Sequence, residues 1–492
     1  MKILFVFPND YLANGIPTGI ATLSAWLKRD GHDVDIFDWT FIKTAPLEPQ
    51  AVPDETIYTP TEYTLEDLVV DDPVISLVDA FRAKLDEFQP DLVTISVMTG
   101  YYDKTMELLR SHSPSCPVVV GGIHATICPE DALSFPEVDM ICVGEGELFM
   151  SELCRRMEAG SDISDIPNLG VRTQDGIRIN PPQPFLSIDD LPTPDWGLFD
   201  SRHLFRPFEG DIYNGSFFTM SRGCPQKCSY CVNGSLQKSL ADCGRYFRYQ
   251  SPETTLRHLT ALQKKFDAKW FKFADDCITL LPEKKLTELA AAIRPLGIQF
   301  GCSVRPDTVT AKKVELLQSM GCVAASVGVE SGNEQLRQTV LNRFMSNDSI
   351  IEAVGLLTDA GIRISTFNMI GLPGETRENV FETIRLNKRM GVSAANVYII
   401  YPYPGTAISE RYGVHFRNED GSSVSVEEAS SYNLSAMSPD EVEGLLSTFN
   451  IYLALPEERW EEVRLAEGGT PEAIKVRHEF NKEASSLMAQ KG

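Results

Sequence analysis

The chain has 492 residues, with 69 acidic and 45 basic side chains and a formal net charge of −24 at pH 7. That length exceeds what one hydrophobic core supports, so we expect two or three domains. The negative charge would repel nucleic-acid phosphates and anionic lipid head groups, which excludes nucleic acid as an expected partner.

The apolar run at residues 3–7 stops at Pro8 without a small-residue cleavage site, so it predicts a buried strand and not a signal peptide. No stretch approaches the roughly 18 apolar residues of a membrane-spanning helix, so no membrane span is expected. Eleven cysteines in a chain without an export signal favour a reducing compartment and metal ligation over a disulfide framework. We therefore expect a cytoplasmic protein.

Residues 1–150 alternate short apolar stretches with amphipathic ones, which is typical of βαβ units and predicts a Rossmann-like parallel sheet with helices on both faces. The predicted strands are residues 2–7, 33–37, 92–97, 118–121 and 140–143. The predicted helices are residues 19–30, 74–88 and 102–111. Residues 44–72 are rich in Pro, Thr and acidic side chains and predict a long loop.

Residues 151–213 form a transitional segment, whose Pro-rich part at 181–195 predicts an extended linker because proline resists helix formation. From 214 to 410 the alternation resumes and predicts a partial (β/α)6 barrel, with its chemistry at the C-terminal ends of the strands. The predicted barrel strands are residues 217–221, 270–274, 299–304, 324–329, 363–370 and 395–400, and the helices include 252–266 and 283–292. Residues 411–492 form a small C-terminal region, predicted to be helical and charged from 427 onward.

Cys224, Cys228 and Cys231 follow the first barrel strand in the segment SRGCPQKCSYC. Thiolates this close in sequence reach one metal centre only from a tight loop. A [4Fe–4S] cluster takes four ligands, so three cysteines leave one iron free for a substrate or cofactor. The alternatives are a zinc site that lacks a ligand and three unrelated core cysteines. Zinc loops usually add a second pair of ligands, and none stands at a matching distance.

The C-x3-C-x2-C spacing, with Tyr230 before the last cysteine, resembles the signature of the radical S-adenosylmethionine (SAM) superfamily over residues 214–410. The resemblance implies that the three cysteines are both metal ligands and catalytic, and that the open iron binds SAM. One electron, from an external donor such as ferredoxin or flavodoxin, would split SAM into methionine and a 5′-deoxyadenosyl radical. The SAM contacts implied by strand-end segments of this kind are Tyr230, Asp275, Asp276, Ser303, Arg305, Glu330, Ser331 and Gly371.

The N-terminal domain lacks the G-x-G-x-x-G fingerprint of dinucleotide-binding folds after its first strand. Glycine turns instead follow two later strands, at 121–122 and 144–147, and they leave a backbone-lined crevice where an open sheet places a ligand. This pattern resembles the cobalamin-binding domain of the cobalamin (B12)-dependent radical SAM family. The implied cobalamin contacts are Pro17, Thr18, Gly19, Ser96, Met98, Tyr101, Gly121, Gly122, His124, Gly144, Glu145, Gly146 and Glu147.

The D-x-H-x-x-G motif that gives cobalt a histidine ligand in other B12 proteins is missing from this sequence. We therefore expect base-off cobalamin without a protein histidine on cobalt, and His124 in contact with the nucleotide tail or capping a helix. Met98, Tyr101 or Tyr102 would cover the lower face of cobalt, although core packing explains the aromatic pair equally well. A domain that keeps this fold without the cofactor is the alternative.

The resemblance implies a methyltransferase: the adenosyl radical abstracts hydrogen from an unactivated substrate carbon, and methyl comes from methylcobalamin. Tyr398, Tyr401 and Tyr403 are predicted to line the substrate cavity, with core packing as the alternative. The substrate is a small metabolite or a protein or peptide side chain.

Two further function classes remain open. One is a radical SAM enzyme that does not methylate, such as an oxidative cyclase, a ring-rearranging enzyme or a lipid carbon–carbon coupling enzyme. The other is a non-catalytic iron–sulfur electron-transfer protein. Cys243 and Cys302 are second-cluster ligands or, as their scattered spacing favours, buried thiols.

Overall fold

A computed structural model describes residues 1–45, 72–392, 395–414, 417 and 434–489. The protein is an α/β protein built on two large sheets. The loop predicted at 44–72 lies almost entirely outside the described residues. In the part of the chain that is described, no helix is both long enough and apolar enough to cross a membrane.

The strands are β1 (Lys2–Phe7), β2 (Asp33–Asp38), β3 (Leu92–Ser96), β4 (Val118–Gly121), β5 (Met140–Cys142), β6 (Leu169–Thr173), β7 (Gly176–Ile179), β8 (Phe205–Phe208), β9 (Asp211–Asn214), β10 (Phe217–Phe218), β11 (Ser221–Arg222), β12 (Arg248–Tyr249), β13 (Trp270–Phe273), β14 (Gln299–Val304), β15 (Cys322–Glu330), β16 (Arg363–Ile370) and β17 (Ala395–Ile399). The α-helices are α1 (Thr18–Arg29), α2 (Leu77–Phe88), α3 (Tyr102–Ser111), α4 (Ile123–Ile127), α5 (Pro129–Ala132), α6 (Glu147–Glu158), α7 (Val232–Ser239), α8 (Pro252–Phe266), α9 (Glu283–Ile293), α10 (Ala311–Ser319), α11 (Glu334–Thr339), α12 (Asn347–Asp359), α13 (Arg377–Arg389), α14 (Ala407–Tyr412), α15 (Pro439–Ala454), α16 (Trp460–Val463) and α17 (Pro471–Ala489).

The first sheet has the strand order β2-β1-β3-β4-β5-β6-β7. Strands β1 to β5 pair in parallel, as predicted, because helices cover both faces of these apolar strands. Strands β6 and β7 add an antiparallel hairpin, so the sheet extends well past the predicted domain end at residue 150, which falls inside α6. The Asp-Gly pair at 175–176 is a hairpin signal that marks this extension in the sequence.

The second sheet has six parallel strands in the order β10-β13-β14-β15-β16-β17, which is the predicted partial barrel. The predicted first strand, 217–221, divides into β10 and β11. The reason lies in Asp275, whose Oδ1 accepts the backbone N–H groups of Met220 and Ser221 at 3.1 and 2.6 Å. These backbone groups therefore bond to a carboxylate and not to a neighbouring strand.

One apolar cluster runs through both sheets and the linker between them. It contains Ile3 and Phe149 of the first sheet layer, Trp196 of the linker, and Phe218 and Phe271 of the barrel. The Pro-rich linker has no α-helix, as predicted, but it is packed and not free. Burial of this shared apolar surface fixes how the two sheets face each other.

The C-terminal region contains α15, α16 and α17, which confirms the predicted helical character in the described residues. Its core packs on the last barrel helix: Phe381 of α13 lies against Tyr452 and Trp460 with ring centroids 5.0 and 4.8 Å apart. This region therefore covers the outer face of the barrel.

Trp196 connects the linker to the barrel core, since its indole is 1% exposed and lies 5.8 Å from the rings of both Phe266 and Phe271. We expect Trp196→Ala to lower the free energy of unfolding by about 3–5 kcal/mol, because it removes a large buried ring and leaves a cavity. Urea unfolding followed by circular dichroism measures this change. Leu465→Ala, at a side chain 70% exposed, is the control and should change stability by less than about 0.5 kcal/mol. Equal effects of the two substitutions would contradict the prediction.

Candidate active site

The three predicted cluster cysteines lie in one loop, between β11 and α7. Gly223 turns the chain into this loop with a φ of +81°, and a Cβ there would lie 2.7 Å from the Tyr246 carbonyl oxygen. Only glycine fits both conditions. Cys224, Cys228 and Cys231 are all partly exposed and none of them forms a disulfide.

Side-chain N–H groups point at two of the three sulfurs. Arg305 Nη1 lies 3.2 Å from Cys228 Sγ, and Asn233 Nδ2 lies 3.4 Å from Cys231 Sγ. Metal-bound ligands in proteins are characteristically held by hydrogen bonds of this kind. Among the described residues, no three His, Cys, Asp or Glu side chains converge as the ligands of a single ion do. The thiolates of a four-iron cluster bind different irons and need not converge, so the donor set fits a cluster with one open iron.

Tyr230 and Glu330, both predicted SAM contacts, meet directly beside the cysteine loop. Tyr230 Oη donates a 2.9 Å hydrogen bond to Glu330 Oε1. Glu330 ends β15 with a φ of +68°, a left-handed conformation uncommon outside glycine and typical of functional sites. Burial raises the pKa of Glu330, and the nearby Arg343 charge offsets part of that rise.

Arg343 is a residue of this site that sequence reasoning missed. Its Nη1 lies 3.2 Å from Tyr230 Oη and 3.6 Å from Glu330 Oε1. Arg343 belongs to the irregular segment between α11 and α12, outside every strand-end motif. No local sequence signal marks it, because only the folding of that segment over the barrel brings it to β15.

The other predicted SAM residues after β14 and β15 have different surroundings. Arg305 forms a forked pair with Asp307, at 2.6 and 3.0 Å, and this fixes its third nitrogen near the cysteine loop. Ser303 is partly buried on β14. Ser331 is fully buried, and its hydroxyl accepts the backbone N–H of Asn333 within its own turn. Of these residues, Arg305 therefore has the clearest position at the site.

Gly371 was predicted to contact SAM, and its backbone N–H has a partner within its own loop. Its N–H donates a 2.7 Å hydrogen bond to Glu375 Oε2, and the N–H of Leu372 donates to the same oxygen at 3.2 Å. The Gly371 N–H is therefore occupied inside its own loop. Burial raises the pKa of Glu375 to about 8.

Asp275 and Asp276 follow β13, as the strand-end prediction requires. Asp275 is buried, and its Oδ1 accepts three hydrogen bonds from Met220 and Ser221 while its Oδ2 has no partner in the structure. Burial raises the pKa of Asp275 to about 6. Asp276 Oδ1 accepts a 3.0 Å hydrogen bond from Asn233, the residue that also faces Cys231. Asp275 therefore holds the backbone before the cysteine loop, and Asp276 holds the Asn233 side chain after it.

A cavity of about 310 Å³ lies between the two sheets. This volume falls at the lower end of the roughly 300–1,000 Å³ that is typical of small-ligand pockets. The predicted cobalamin residues that line it are Thr18, Gly19, Ser96, Gly121, Gly122, Gly144, Glu145, Gly146 and Glu147. The opposite wall comes from the linker and the barrel, including Ser221, Arg222, Gln250 and His258. Sequence reasoning missed this second wall because no motif connects residues so far apart in the chain.

Four predicted cobalamin residues lie outside this cavity lining. Pro17 precedes α1, and Met98 is 56% exposed. Tyr101 Oη donates a 2.6 Å hydrogen bond to Asp10. The expectation that His124 contacts a nucleotide tail needs correction, because its ring is buried.

Two neighbours hold the His124 ring. Thr99 Oγ1 lies 3.2 Å from Nδ1 and Asp131 Oδ2 lies 2.9 Å from Nε2. Tyr102 packs on the ring with centroids 4.2 Å apart and is itself 1% exposed. These aromatic groups are core residues of the first domain.

A network of four charged side chains lies between the cavity and the cysteine loop. Arg222 and Arg248 stand opposite each other on the β11–β12 ladder, where like charges would repel. Glu145 bonds to both, with Oε1 3.2 Å from Arg222 Nη1 and Oε2 3.2 Å from Arg248 Nη1. Glu147, in the first turn of α6, accepts from Arg222 Nη1 at 3.3 Å. Burial alone would raise the pKa of Glu147, but the charge and hydrogen bond of Arg222, a backbone hydrogen bond and the Arg248 charge together outweigh burial and lower the pKa.

The three tyrosines predicted to contact substrate divide into two groups. Tyr398 is 56% exposed. Tyr401 is buried, and Tyr403 packs edge-on against it with centroids 4.7 Å apart. Only Tyr398 stands open to a ligand, so core packing explains Tyr401 at least.

Cys243 and Cys302 are buried, at 3% and 0% exposure, which is the position expected for buried thiols. Cys302 Sγ lies 3.7 Å from Cys322 Sγ on the neighbouring strand. No third ligand group completes a metal site there in the described part of the chain.

Two family profiles match the chain, one for each large sheet. Residues 218–386 match the radical SAM superfamily, and residues 61–154 match the B12 binding domain. The chain belongs to the cobalamin-dependent radical SAM family. The cofactors of this family are a [4Fe–4S] cluster, SAM and cobalamin. Radical SAM proteins generally use a reductant and a substrate in addition.

Relatives of this cobalamin-dependent radical SAM protein include an uncharacterized methyltransferase of Pyrococcus horikoshii, 28% identical over 424 residues that cover 83% of each chain. The anaerobic magnesium-protoporphyrin IX monomethyl ester cyclase of Rubrivivax gelatinosus is 25% identical over 432 residues, which cover 84% of this chain and 70% of the cyclase. The structure of the radical SAM methyltransferase TsrM from Kitasatospora setae, with cobalamin and a [4Fe-4S] cluster bound, is 16% identical with a TM-score of 0.67. It covers 99% of this chain and 100% of TsrM, which shows a common fold.

Arg222→Gln should lower the free energy of unfolding by about 3–5 kcal/mol, because it leaves the buried Glu147 carboxylate without its main partner. Arg155→Gln is the matched control on α6, since its pair with Glu152 is exposed, with Arg155 64% accessible. That control should cost less than about 1 kcal/mol. Urea unfolding of both variants measures the difference, and an Arg222 variant as stable as the control would contradict the assignment.

Glu375 should make the protein less stable as pH rises, because its raised pKa means that the folded state keeps a proton that the unfolded chain releases. The loss should extend from about pH 4.3, the usual value for glutamate, to the raised value of about 8. Glu375→Gln should remove this contribution, up to about 1.4 kcal/mol per pH unit. Urea unfolding of both proteins at intervals from pH 5 to 9 measures it. Parallel stability curves for the variant and the native protein would refute the prediction, and Glu472→Gln on the exposed face of α17 is the control.

Proposed function

We propose that the protein is a cobalamin-dependent radical SAM methyltransferase that transfers methyl to an unactivated carbon of its substrate. The observation that carries this proposal is the adjacency of the two cofactor sites. Ser221 and Arg222 line the cavity between the two sheets, and a single residue, Gly223, separates Arg222 from Cys224 in the sequence. A methyl donor in the cavity and a radical formed at the cluster would therefore act on the same small volume, as methyl transfer to a substrate radical requires.

When bound, SAM at the cluster supplies the hydrogen-abstracting radical and cobalamin supplies the methyl group. The protein positions these groups. Tyr230, Arg305 and Glu330 are our proposed SAM contacts, and all lie within the hydrogen-bond network around the cysteine loop. Asp275 holds the backbone that connects this loop to the cavity wall. Burial of these polar groups keeps water away from the reacting atoms, which protects a radical from side reactions.

We propose that cobalamin binds base-off, without a histidine ligand from the protein. Among the described residues, His258 is the histidine that lines the cavity. Its Nδ1 lies 3.5 Å from Gln250 Nε2 and its Nε2 lies 3.3 Å from Arg257 Nη2, so both ring nitrogens have protein neighbours. His124, the other candidate, is buried against Asp131. The lower-face cover predicted for Met98 and Tyr101 finds no support in the cavity lining.

A second reaction class has a specific observation in its favour. The relative from Rubrivivax gelatinosus is named a cyclase, and it matches most of this chain. The same two cofactor domains would then produce an oxidised or rearranged product without a new methyl group. Product mass separates the two, because each methylation adds one CH₂ unit to the substrate and cyclisation adds none.

The remaining parts of the proposal concern partners. Tyr398 is our candidate substrate contact, and the substrate is a small metabolite or a peptide side chain. A low-potential donor such as ferredoxin or flavodoxin would reduce the cluster. The cytoplasmic location expected from the cysteine content stays a prediction.

Anaerobic reconstitution with iron, sulfide and hydroxocobalamin tests the cofactor assignment. We expect cobalamin absorption bands together with an iron–sulfur shoulder, and 5′-deoxyadenosine after addition of SAM and dithionite. Cys228→Ala should lose the iron–sulfur absorption and the 5′-deoxyadenosine but keep bound cobalamin, because none of the three proposed cluster cysteines lines the cavity. Iron–sulfur absorption without bound cobalamin would refute the methyl-transfer proposal and leave only the radical chemistry.

A further inference from the structure

Two arginines approach the same cluster cysteine from different parts of the barrel. Arg305, after β14, places Nη1 3.2 Å from Cys228 Sγ. Arg343, between α11 and α12, places Nη1 3.9 Å from the same sulfur. Both residues are buried, at 7% and 4% exposure. Two guanidinium groups thus approach Cys228, while Asn233 places a neutral N–H donor beside Cys231.

Arg343 is costly to bury, and its protein contacts compensate its charge only in part. Its Nη2 donates to the Gly328 carbonyl oxygen at 2.6 Å, and its Nε has no partner in the structure. Among the described residues, the carboxylate that pairs with it is that of Glu330, which lies 3.6 Å away, is itself buried and is shared with Tyr230. A buried cation with so little compensation is unfavourable for folding alone. A negatively charged group beside Cys228 would supply the compensation.

Arg337 is a second buried arginine close to Arg343 in the sequence, and its contacts indicate a purely structural role. It is fully buried on α11, and its guanidinium donates to the Met345 carbonyl oxygen at 2.8 Å and to Asn347 Oδ1 at 2.8 Å. Its guanidinium also donates to the Ser331 carbonyl oxygen, and in the described part of the chain none of its hydrogen bonds reaches the cysteine loop. Arg337 and Arg343 are similarly buried and lie six positions apart. They differ because Arg343 contacts a proposed cluster ligand and Arg337 does not.

We infer that Arg343, together with Arg305, sets the reduction potential of the [4Fe–4S] cluster through the sulfur of Cys228. This rests on the cluster that the proposed function requires at these cysteines. Reduction adds a negative charge to the cluster, and nearby cations with N–H groups directed at a thiolate stabilise the reduced form more than the oxidised form. Removing the Arg343 charge should therefore make the cluster harder to reduce. Arg343 acts through a cluster ligand and is a positioning and tuning residue.

The test is a redox titration of the reconstituted cluster, followed by electron paramagnetic resonance in the absence of SAM. For Arg343→Gln we expect at least a tenfold lower ratio of reduced to oxidised cluster at a fixed potential, which is a shift of about −59 mV for a one-electron couple. Arg343→Lys keeps the charge and should recover part of the shift. Arg337→Gln is the matched control and should keep the native potential even if it lowers stability.

The outcomes separate this inference from the proposed function. If the native protein assembles no cluster, the proposed function fails. If the cluster assembles and Arg343→Gln has the native potential, this inference alone is wrong. An unchanged potential combined with weaker SAM binding would assign Arg343 to SAM and also overturn it. A shift in Arg337→Gln equal to that in Arg343→Gln would show a general loss of packing and would overturn it as well.

Discussion

The charge network at the junction of the two sheets is the interaction on which the site depends. Arg222 and Arg248 face each other on a two-stranded ladder, and Glu145 and Glu147 from the first domain neutralise them. The two carboxylates come from the loop and first turn at the N-terminus of α6, where the helix dipole already favours negative charge. Burying any one of these charges alone would be unfavourable, but the four side chains compensate one another. The network also links the cavity wall to the chain that enters the cysteine loop.

The apolar core supports this junction and limits how far it can move. Because one cluster of buried side chains continues from β1 through Trp196 to β13, the two domains cannot shift without exposing part of it. Hydrophobic burial is non-directional and only brings the sheets together. The ion pairs add direction, since each carboxylate has to meet a particular guanidinium. Together, the apolar core and the ion pairs hold the inter-sheet cavity and the cysteine loop in a fixed position relative to each other.

The same division between general and specific forces applies inside the barrel. The parallel strands bring their C-terminal ends to one edge, where Asp275 holds the backbone just before the cysteine loop and Arg305 and Glu330 contact side chains within it. Buried carboxylates and guanidinium groups carry strong mutual effects in this low-dielectric region. The raised pKa values of Asp275 and Glu330 are caused first by their burial, which is also what excludes water from the site.

The sequence by itself determined the features that depend on local periodicity and spacing. Alternating strand and helix patterns placed the five parallel strands of the first sheet and five of the six barrel strands, and the spacing of Cys224, Cys228 and Cys231 predicted a cluster loop. Only the tertiary structure decided which distant residues meet. It buried His124 against Asp131, divided the first barrel strand through Asp275, brought Glu147 to Arg222, and brought Arg343 to the cysteine loop. Such contacts are set by packing between segments far apart in the chain, and no local pattern encodes them.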